Sequence, residues 1–278
     1  MIDFHTHTFP ERIAAMAIAK LQQASHSRAF TDGTAEGLQA SMARAGIELS
    51  VVLPVATNPV KVGKMNDVSI AMNAQGGSLH YFGCMHPDAE DWHAELARIA
   101  AAGLKGIKLH PVYQGVDIDD PRNLRILQRA GELGLTVVIH AGDDIGFPGE
   151  VRCSPRMIRN ALQQAGPVQL VCAHMGGWRN WQEVAENLLD TSALLDTAFT
   201  LGAIAPIDDH YAPHELPMLA AEDFLRLVRA FGSERILFGS DSPWDDQAQA
   251  VAAIRALPLT AQEQADIFHN TAAKLLNL

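Results

Sequence analysis

The sequence contains few cysteines, few basic side chains and no long hydrophobic run. Its 3 cysteines have no paired spacing, which argues against a disulfide framework and indicates a reducing compartment. Cys84 and Cys172 lie in apolar runs and are predicted to belong to the core. Cys153 follows Arg152 in a predicted loop, where it is either a reactive thiol or an ordinary loop residue.

Basic residues are the second deficit. The 21 lysines and arginines stand against 32 acidic residues, which gives a net charge of −11 with neutral histidines. Binding to a phosphate backbone needs clustered basic residues, so a nucleic-acid partner is not expected. A small anionic substrate is compatible with this charge, because a bound metal and a few local cations can reverse the field inside a site.

Long hydrophobic runs are also missing. The N-terminus lacks the basic and apolar segments of a signal peptide, and no run is long enough to span a membrane. We therefore expect a cytoplasmic protein with no membrane partner. Base rates alone favour a homo-oligomer.

Short apolar runs do occur, and they alternate with longer helical patterns along the whole chain. Several are continuous and β-branched, as in Thr136-Val137-Val138-Ile139, which is typical of strands covered on both faces. Eight runs are predicted to be strands: residues 2–7, 49–56, 79–86, 106–111, 136–142, 169–176, 193–199 and 236–243.

Eight strand–helix units without an internal boundary predict an α/β fold with a single (β/α)8 TIM barrel as the one domain, residues 1–278. The alternative is a doubly wound sheet. It is disfavoured because no Gly-rich dinucleotide loop follows the first strand and because it would spread the strand ends along an edge. Three long connections, 57–64, 142–153 and 200–217, are expected to form the rim of a barrel active site.

Helix ends carry recognisable signals. Ser154 and Asp120 each precede a proline, as an N-cap followed by Pro at the first helical position. Thr260 and Glu263 have the spacing of a capping box that opens the last helix.

Half of the 12 histidines fall at the predicted C-terminal ends of strands, the catalytic face of a TIM barrel. The six are His5, His7, His86, His110, His140 and His174, and Asp241 ends the last strand. Three neutral imidazoles with one carboxylate suit a divalent metal, most simply one Zn²⁺, with Mn²⁺ or Fe²⁺ as alternatives. Asp241 is placed to act as a ligand and as a general base.

The first strand deserves a separate prediction. Its period of two puts His5 and His7 on one face with Asp3 one step deeper, and Ile2 and Phe4 on the opposite face. A His-x-His pair taken alone is also compatible with two ordinary histidines, so the metal interpretation depends on ligands from other strands.

Four short motifs together resemble the amidohydrolase superfamily, in particular its amidohydrolase-related branch, and they are also similar to the TatD-like hydrolases. They are His5-Thr6-His7, His140 in Val-Ile-His-Ala-Gly, His174 in Ala-His-Met-Gly-Gly, and Asp241 in Phe-Gly-Ser-Asp-Ser-Pro-Trp. The resemblance implies that His5, His7, His140 and Asp241 bind the metal. It also implies that His174 acts on substrate or water, or is itself a ligand, and that Trp244 and the 200–217 loop line the pocket.

The fourth strand departs from that pattern. Binuclear relatives carry a carboxylated lysine at its end and TatD-like proteins use glutamates there or nearby, whereas this chain has His110, with Lys108 one layer deeper. We therefore expect one metal, with His110 as a substrate contact or an extra ligand. Lys108 is expected to be a buried charge paired with Asp3 or another barrel acid.

The leading hypothesis is a metal-dependent hydrolase that directs activated water at a small carbonyl, amide, ester or lactone substrate. In it, Asp241 moves the proton and His174 steadies the developing charge. The second is a decarboxylase of a small unsaturated or aromatic acid, in which Arg152 would hold a substrate carboxylate. A TatD-like phosphodiesterase and a non-catalytic binding barrel are weaker alternatives. Asp143 and Asp144 are expected to be solvated in their loop.

Overall fold

The computed structural model describes residues 1–278, and parallel strands surround its core in the order of a barrel. The strands are β1 Ile2–Thr6, β2 Leu49–Val52, β3 Leu79–Tyr81, β4 Gly83–Cys84, β5 Gly106–Leu109, β6 Thr136–Ile139, β7 Leu170–Cys172, β8 Leu194–Asp196 and β9 Ile236–Leu237. β3 and β4 are two parts of one predicted strand, so each of the eight predicted runs contains observed strand.

Hydrogen bonds close the barrel. One parallel sheet runs β1-β2-β3 and the other runs from β4 to β9 in sequence order. The N–H of Phe4 donates to the carbonyl of Phe238 at 2.7 Å, and that of Phe82 donates to the carbonyl of Val52 at 3.0 Å. Both seams between the sheets are therefore bridged, and the predicted (β/α)8 barrel is confirmed.

Helices cover the strands, as the capping signals predict. They are α1 Glu11–Ser25, α2 Ala35–Ala45, α3 Val62–Gln75, α4 Trp92–Ala101, α5 Pro111–Gln114, α6 Pro121–Glu132, α7 Pro155–Ala165, α8 Val184–Leu188, α9 Ala221–Phe231, α10 Gln247–Arg255, α11 Ala261–Ala265 and α12 Thr271–Leu276, with a π-helical turn at Asp266–Asn270. The side chains of Asp120, Ser154 and Thr260 cap α6, α7 and α11 as predicted. A 3-10 turn at Pro59–Lys61 leads into α3, so the first rim loop is shorter than predicted. None of these helices has the length and apolar character needed to cross a membrane.

An apolar plug fills the barrel. Residues from opposite sides of the barrel share one cluster, which contains Phe4, Val51, Val138, Val171 and Leu237. Because β1 and β2 lie across from β6 and β7, these side chains can meet only inside the barrel. The larger cluster packs the outer faces of the strands against the helices.

A β-bulge in β1 overturns the predicted alternation of that strand. The register against β2 shifts by one residue between Asp3 and Thr6. Phe4 therefore joins the interior plug, while Asp3 leaves the barrel axis and hydrogen-bonds with Ser240 and Gln247. Asp3 does not pair with Lys108, contrary to one of the predicted pairings.

Cys172 packs in the outer cluster, as predicted, and His174 follows the end of β7 with a φ of 59°. The interpretation of Cys153 as a reactive or ordinary loop residue is wrong. Cys153 is fully buried, and burial raises the pKa of its thiol well above the usual range. It is a core residue with a suppressed thiolate.

Candidate functional site

Three predicted ligands converge at the C-terminal end of the barrel. Oδ1 of Asp241 lies 3.1 Å from Nε2 of His7 and 3.3 Å from Nε2 of His5, and the two Nε2 atoms are 3.2 Å apart. Asp241 adopts a left-handed backbone with a φ of 66°, which follows β9 and turns its carboxylate toward β1. The bulge in β1 brings His5 into the same space.

The other nitrogen of each imidazole fixes its tautomer. Nδ1 of His5 lies 2.8 Å from a carboxylate oxygen of Asp196, and Nδ1 of His7 lies 2.7 Å from the carbonyl oxygen of Leu53. Both partners are acceptors, so Nδ1 carries the hydrogen in each ring. Both Nε2 atoms then turn lone pairs toward each other and toward Asp241.

Three atoms that direct lone pairs at one another repel each other unless a positive charge lies between them. Ligand atoms around a tetrahedral zinc ion at about 2.0–2.1 Å are separated by about 3.3 Å, which is the spacing of this trio. Nζ of Lys108, 3.2 Å from Nε2 of His5, is the one cationic side chain that reaches the cluster. Two imidazoles and a carboxylate therefore fit a divalent metal of the zinc or manganese type.

A second pair of imidazoles, His140 and His174, has fewer hydrogens than its hydrogen bonds require. Nε2 of His140 lies 2.9 Å from the carbonyl of Asp143, Nδ1 of His140 lies 3.0 Å from Nε2 of His174, and Nδ1 of His174 lies 2.8 Å from the carbonyl of Ala198. Three hydrogen bonds need three hydrogens, and two neutral imidazoles supply two. One added positive charge, a proton or a metal, would remove this shortage.

His140 belongs to a neighbouring group and is not among the three convergent ligands. It stacks on His110 with ring centroids 4.3 Å apart, and both rings face the carboxylate of Asp144. Asp144 is only 6% exposed, so the prediction of a solvated loop residue is wrong. Its aromatic neighbour Tyr113 packs edge-on against His110 at 4.2 Å.

Burial sets the protonation of the site. It lowers the pKa of His5 and of His140, takes that of His110 well below its usual range and takes that of His174 to about 3. Burial opposes ionisation of Asp241, but the neighbouring His7, His5 and His174 hold its pKa below the usual range. Neutral imidazoles beside an ionised carboxylate are the states in which these groups bind metals.

Burial also favours the neutral form of two carboxyls and one amine near the site. Burial raises the pKa of Asp144, and it raises the pKa of Asp245 to about 7. Burial also lowers the pKa of Lys108 to about 8. These groups increase the number of side chains able to exchange protons at the barrel mouth.

The predicted substrate contacts lie in different places. Trp244 packs against a rim cluster of four side chains, those of Trp178, Phe199, Ile204 and Met218. Its backbone N–H donates to the carbonyl of Asp241 at 2.8 Å. Arg152 is bound to Asp117 at 3.0 Å and to Glu150 at 3.5 Å, and contacts none of the histidines described here. His110 lies directly beside His140, at the edge of the site.

The sequence leaves Asp196 open between reaching the site and capping the next turn, and for Asp144 it favours a solvated loop over contact with a substrate cation. Asp196 ends β8, in a position equivalent to the other strand-end residues, and that position was the available signal. The burial of Asp144 is not predictable from the sequence, because it depends on the path of the 142–153 loop.

The comparisons with known proteins agree with this architecture. The sequence model of the amidohydrolase family matches residues 2–278. No curated protein matches the sequence. The similarity to TatD-like hydrolases is not shown by these matches.

Several solved structures share the fold at low identity. An uncharacterised TIM-barrel protein from Bordetella bronchiseptica has a TM-score of 0.76 and 18% identity, covering 100% of this chain and 98% of that one. The 5-carboxyvanillate decarboxylase from Novosphingobium aromaticivorans, with bound manganese, has a TM-score of 0.70 and 14% identity over 100% and 97% of the two chains. A candidate 2-pyrone-4,6-dicarboxylic acid hydrolase from Pseudomonas putida has a TM-score of 0.65 and 21% identity over 99% and 97%.

Proposed function

The chain belongs to the amidohydrolase family, and on that premise we propose that it is a metal-dependent hydrolase of a small carbonyl substrate, an amide, ester or lactone. The observation that carries the proposal is the contact of three lone-pair atoms, from His5, His7 and Asp241, at the catalytic end of the barrel. One divalent ion, zinc or manganese, is the cofactor that this trio suits.

When bound, such an ion supplies Lewis-acid polarisation of a carbonyl and a lowered pKa for a nearby water. The chain contributes the rest. Asp196 holds the hydrogen of His5 on Nδ1, and the carbonyl of Leu53 does the same for His7. Asp241 is ionised, so its carboxylate is able to accept a proton from water.

For His174 we favour action on substrate or water over stabilisation of developing charge. The carbonyl of Ala198 holds its hydrogen on Nδ1, and burial lowers its pKa to about 3, so the ring is neutral near pH 7. Its Nε2 is then an acceptor and not a donor. We assign His174 to proton acceptance or to orientation of the nucleophile, in place of stabilising negative charge.

A decarboxylase is the second candidate, favoured by the similarity to the manganese-containing 5-carboxyvanillate decarboxylase. It needs a cationic side chain for the substrate acid, and Arg152 is already engaged by two carboxylates. The reactions differ in the use of water, because hydrolysis places a solvent oxygen in the product and decarboxylation releases carbon dioxide.

The test combines metal content with isotope labelling. The purified protein should contain at least one equivalent of zinc or manganese, and amide, ester and lactone substrates should be screened in ¹⁸O-water. Asp241→Asn should lose turnover by at least about 10²-fold, the usual minimum contribution of a general base. The exposed Asp209→Asn is the matched control. Full activity of Asp241→Asn would refute the mechanism, and carbon dioxide release without ¹⁸O uptake would favour the second candidate.

A further inference from the structure

Tyr113 follows the C-terminal end of β5, on the short helix α5, and its hydroxyl has no hydrogen-bond partner within the chain. We propose that this hydroxyl donates a hydrogen bond to the carbonyl oxygen of the substrate and stabilises the negative charge that develops there when water attacks. The role deepens the proposed function and rests on it. The hydroxyl keeps its proton throughout, and no covalent bond to Tyr113 forms or breaks.

The proposed reaction needs a hydrogen-bond donor, whereas the groups assigned to it so far offer lone pairs. Nε2 of His174 is an acceptor, because the carbonyl of Ala198 holds the hydrogen of that ring on Nδ1. The Nε2 atoms of His5 and His7 also carry lone pairs, and Asp241 is an ionised carboxylate. A substrate oxygen that becomes negative therefore requires a donor from elsewhere in the chain.

Other candidate donors near the barrel mouth are closed to solvent. Nε1 of Trp178 and Nδ1 of His110 are buried without a partner, so substrate atoms cannot reach them while the rim covers them. Nζ of Lys108 lies 3.2 Å from Nε2 of His5, in a side chain that is 1% exposed. The hydroxyl of Tyr113 differs from these groups, because the residue is only partly buried and its unpartnered oxygen still reaches solvent.

Two aromatic contacts fix the direction of the Tyr113 ring. It packs edge-on against His110, with ring centroids 4.2 Å apart, and edge-on against Phe147, with centroids 5.0 Å apart. The ring is therefore held between the end of β5 and the loop that follows β6. A donor held by packing needs little reorganisation when charge develops on a neighbouring oxygen.

The space beside the hydroxyl is kept open by Gly146. A Cβ atom at that position would lie 3.6 Å from Oη of Tyr113 and 3.2 Å from Oδ1 of Asp144. The N–H of Gly146 donates to the same Oδ1 at 2.8 Å, which holds the loop in this place. The loop thus approaches the hydroxyl with backbone alone and leaves the volume next to the donor free of side-chain atoms.

The charges around Tyr113 keep it a donor. Burial and the carboxylates of Asp144 and Asp241 raise the pKa of its phenol above the usual range, so the hydroxyl is protonated near pH 7. A substrate oxygen that gains negative charge is a stronger acceptor than a neutral carbonyl oxygen. The hydrogen bond from Tyr113 is therefore stronger in the transition state than in the bound substrate, which is the condition for a contribution to kcat.

Removal of a single oxygen atom tests the proposal. The best amide, ester or lactone from the screen is assayed with the Mn²⁺-loaded natural protein, Tyr113→Phe and Tyr113→Leu. We expect Tyr113→Phe to lower kcat by about 10²-fold, the lower end of the loss that follows removal of an oxyanion-binding donor, with little change in KM. Its metal content and circular dichroism should equal those of the natural protein, because the phenyl ring still packs on His110.

A phosphonate that carries the acyl group of the same substrate provides a second readout. It resembles the tetrahedral, negatively charged transition state, so its inhibition constant should rise in Tyr113→Phe by the factor by which kcat/KM falls. A natural kcat in Tyr113→Phe, with a loss only in Tyr113→Leu, would show that the ring acts by packing. That result, or a rise in KM alone, would overturn the role of the hydroxyl and leave the proposed function standing. Release of carbon dioxide without ¹⁸O uptake would overturn both.

Discussion

The carboxylate of Asp196 decides which nitrogen of His5 is free to bind a cation. Asp196 is fully buried, which opposes its ionisation, but its hydrogen bond with His5 and the neighbouring His174 and Lys108 hold its pKa below the usual range. Its Oδ2 binds Nδ1 of His5, and its Oδ1 accepts the N–H groups of His174 and Ala198. One residue therefore orients the imidazole of His5 and holds the backbone at His174.

We predict that Asp196→Asn weakens Mn²⁺ binding by about 10–100-fold, the usual effect of losing a residue that orients a ligand. An amide can place its NH₂ group against Nδ1, which would move the hydrogen of His5 to Nε2 and block the ligand atom. Isothermal titration of the stripped protein measures the change. Asp190→Asn, on the surface with Arg159, should leave the affinity unchanged. Equal affinities for the two variants would show that the tautomer of His5 does not matter.

The three buried cysteines allow a test that needs no substrate. All 3 cysteines are free and buried, and burial raises the pKa of each thiol. We predict that none reacts with a thiol-specific disulfide reagent in the folded protein and that all 3 react after unfolding, because the thiolate is the reactive form. A fast reaction that is abolished in Cys153→Ser would restore the interpretation of Cys153 as a reactive loop residue.

At the scale of elements, the bulge in β1 is the feature that builds the site. It sends Asp3 out of the barrel, where its carboxylate accepts hydrogen bonds from the N–H of Ser240 at 3.0 Å, the hydroxyl of Ser240 at 2.6 Å and the amide of Gln247 at 2.7 Å. The N–H of His5 also donates to it, at 3.2 Å. Asp3 thus fastens β1 to the segment that carries Asp241.

We predict that Asp3→Ala destabilises the protein by about 3 kcal/mol, because several buried donors lose their acceptor at about 1–3 kcal/mol each. The ligands that Asp3 aligns should also bind Mn²⁺ less tightly. Urea denaturation and titration measure the two effects. Asp67→Ala, an exposed partner of Arg98, should cost less than about 1 kcal/mol. A small cost for Asp3→Ala would mean that water replaces the carboxylate.

Sequence patterns located the elements better than they located the side chains. β6 and its preceding helix follow from a β-branched run and from the Asp120 cap, because both signals are local. The face presented by Asp3 could not be predicted, since the bulge depends on pairing with a distant strand. His174 follows a strand end, as predicted, but its orientation comes from its own left-handed backbone conformation. The burial of Asp144 depends on how a whole loop folds over the barrel.

At the scale of the whole molecule, two buried titratable groups change the folding stability in opposite directions as the pH changes. His174 has a folded pKa of about 3 against 6.5 for an exposed imidazole, so the unfolded chain binds more protons between these values and stability falls as the pH falls. Asp245 has a folded pKa of about 7 against 3.8, so the folded chain binds more protons there and stability falls as the pH rises.

Asp245→Asn separates the two contributions. In the metal-free protein, we predict that the variant gains stability relative to the natural protein as the pH rises from 4 to 7, with no further gain above pH 7. The reason is that the natural side chain must ionise in a poorly hydrated place, whereas an amide stays neutral. Thermal unfolding of both proteins at pH 4, 5.5, 7 and 8 measures the difference. Curves that stay parallel would show that Asp245 is well hydrated.

Metal binding should be visible as stability of the whole barrel, because the ligands come from its first and last strands, whose contact closes the barrel. His5 and His7 lie on β1 and just after it, and Asp241 follows β9. An ion that binds only the folded chain adds about 2.7 kcal/mol at 100 times its dissociation constant. For a chain of this size, that corresponds to a rise of about 5 °C in Tm. Scanning calorimetry with and without Mn²⁺ at pH 7.5 measures the rise, and Asp241→Asn should reduce it. An unchanged Tm at saturating Mn²⁺ would mean that the cluster holds no ion, and the hydrolase proposal would lose its cofactor.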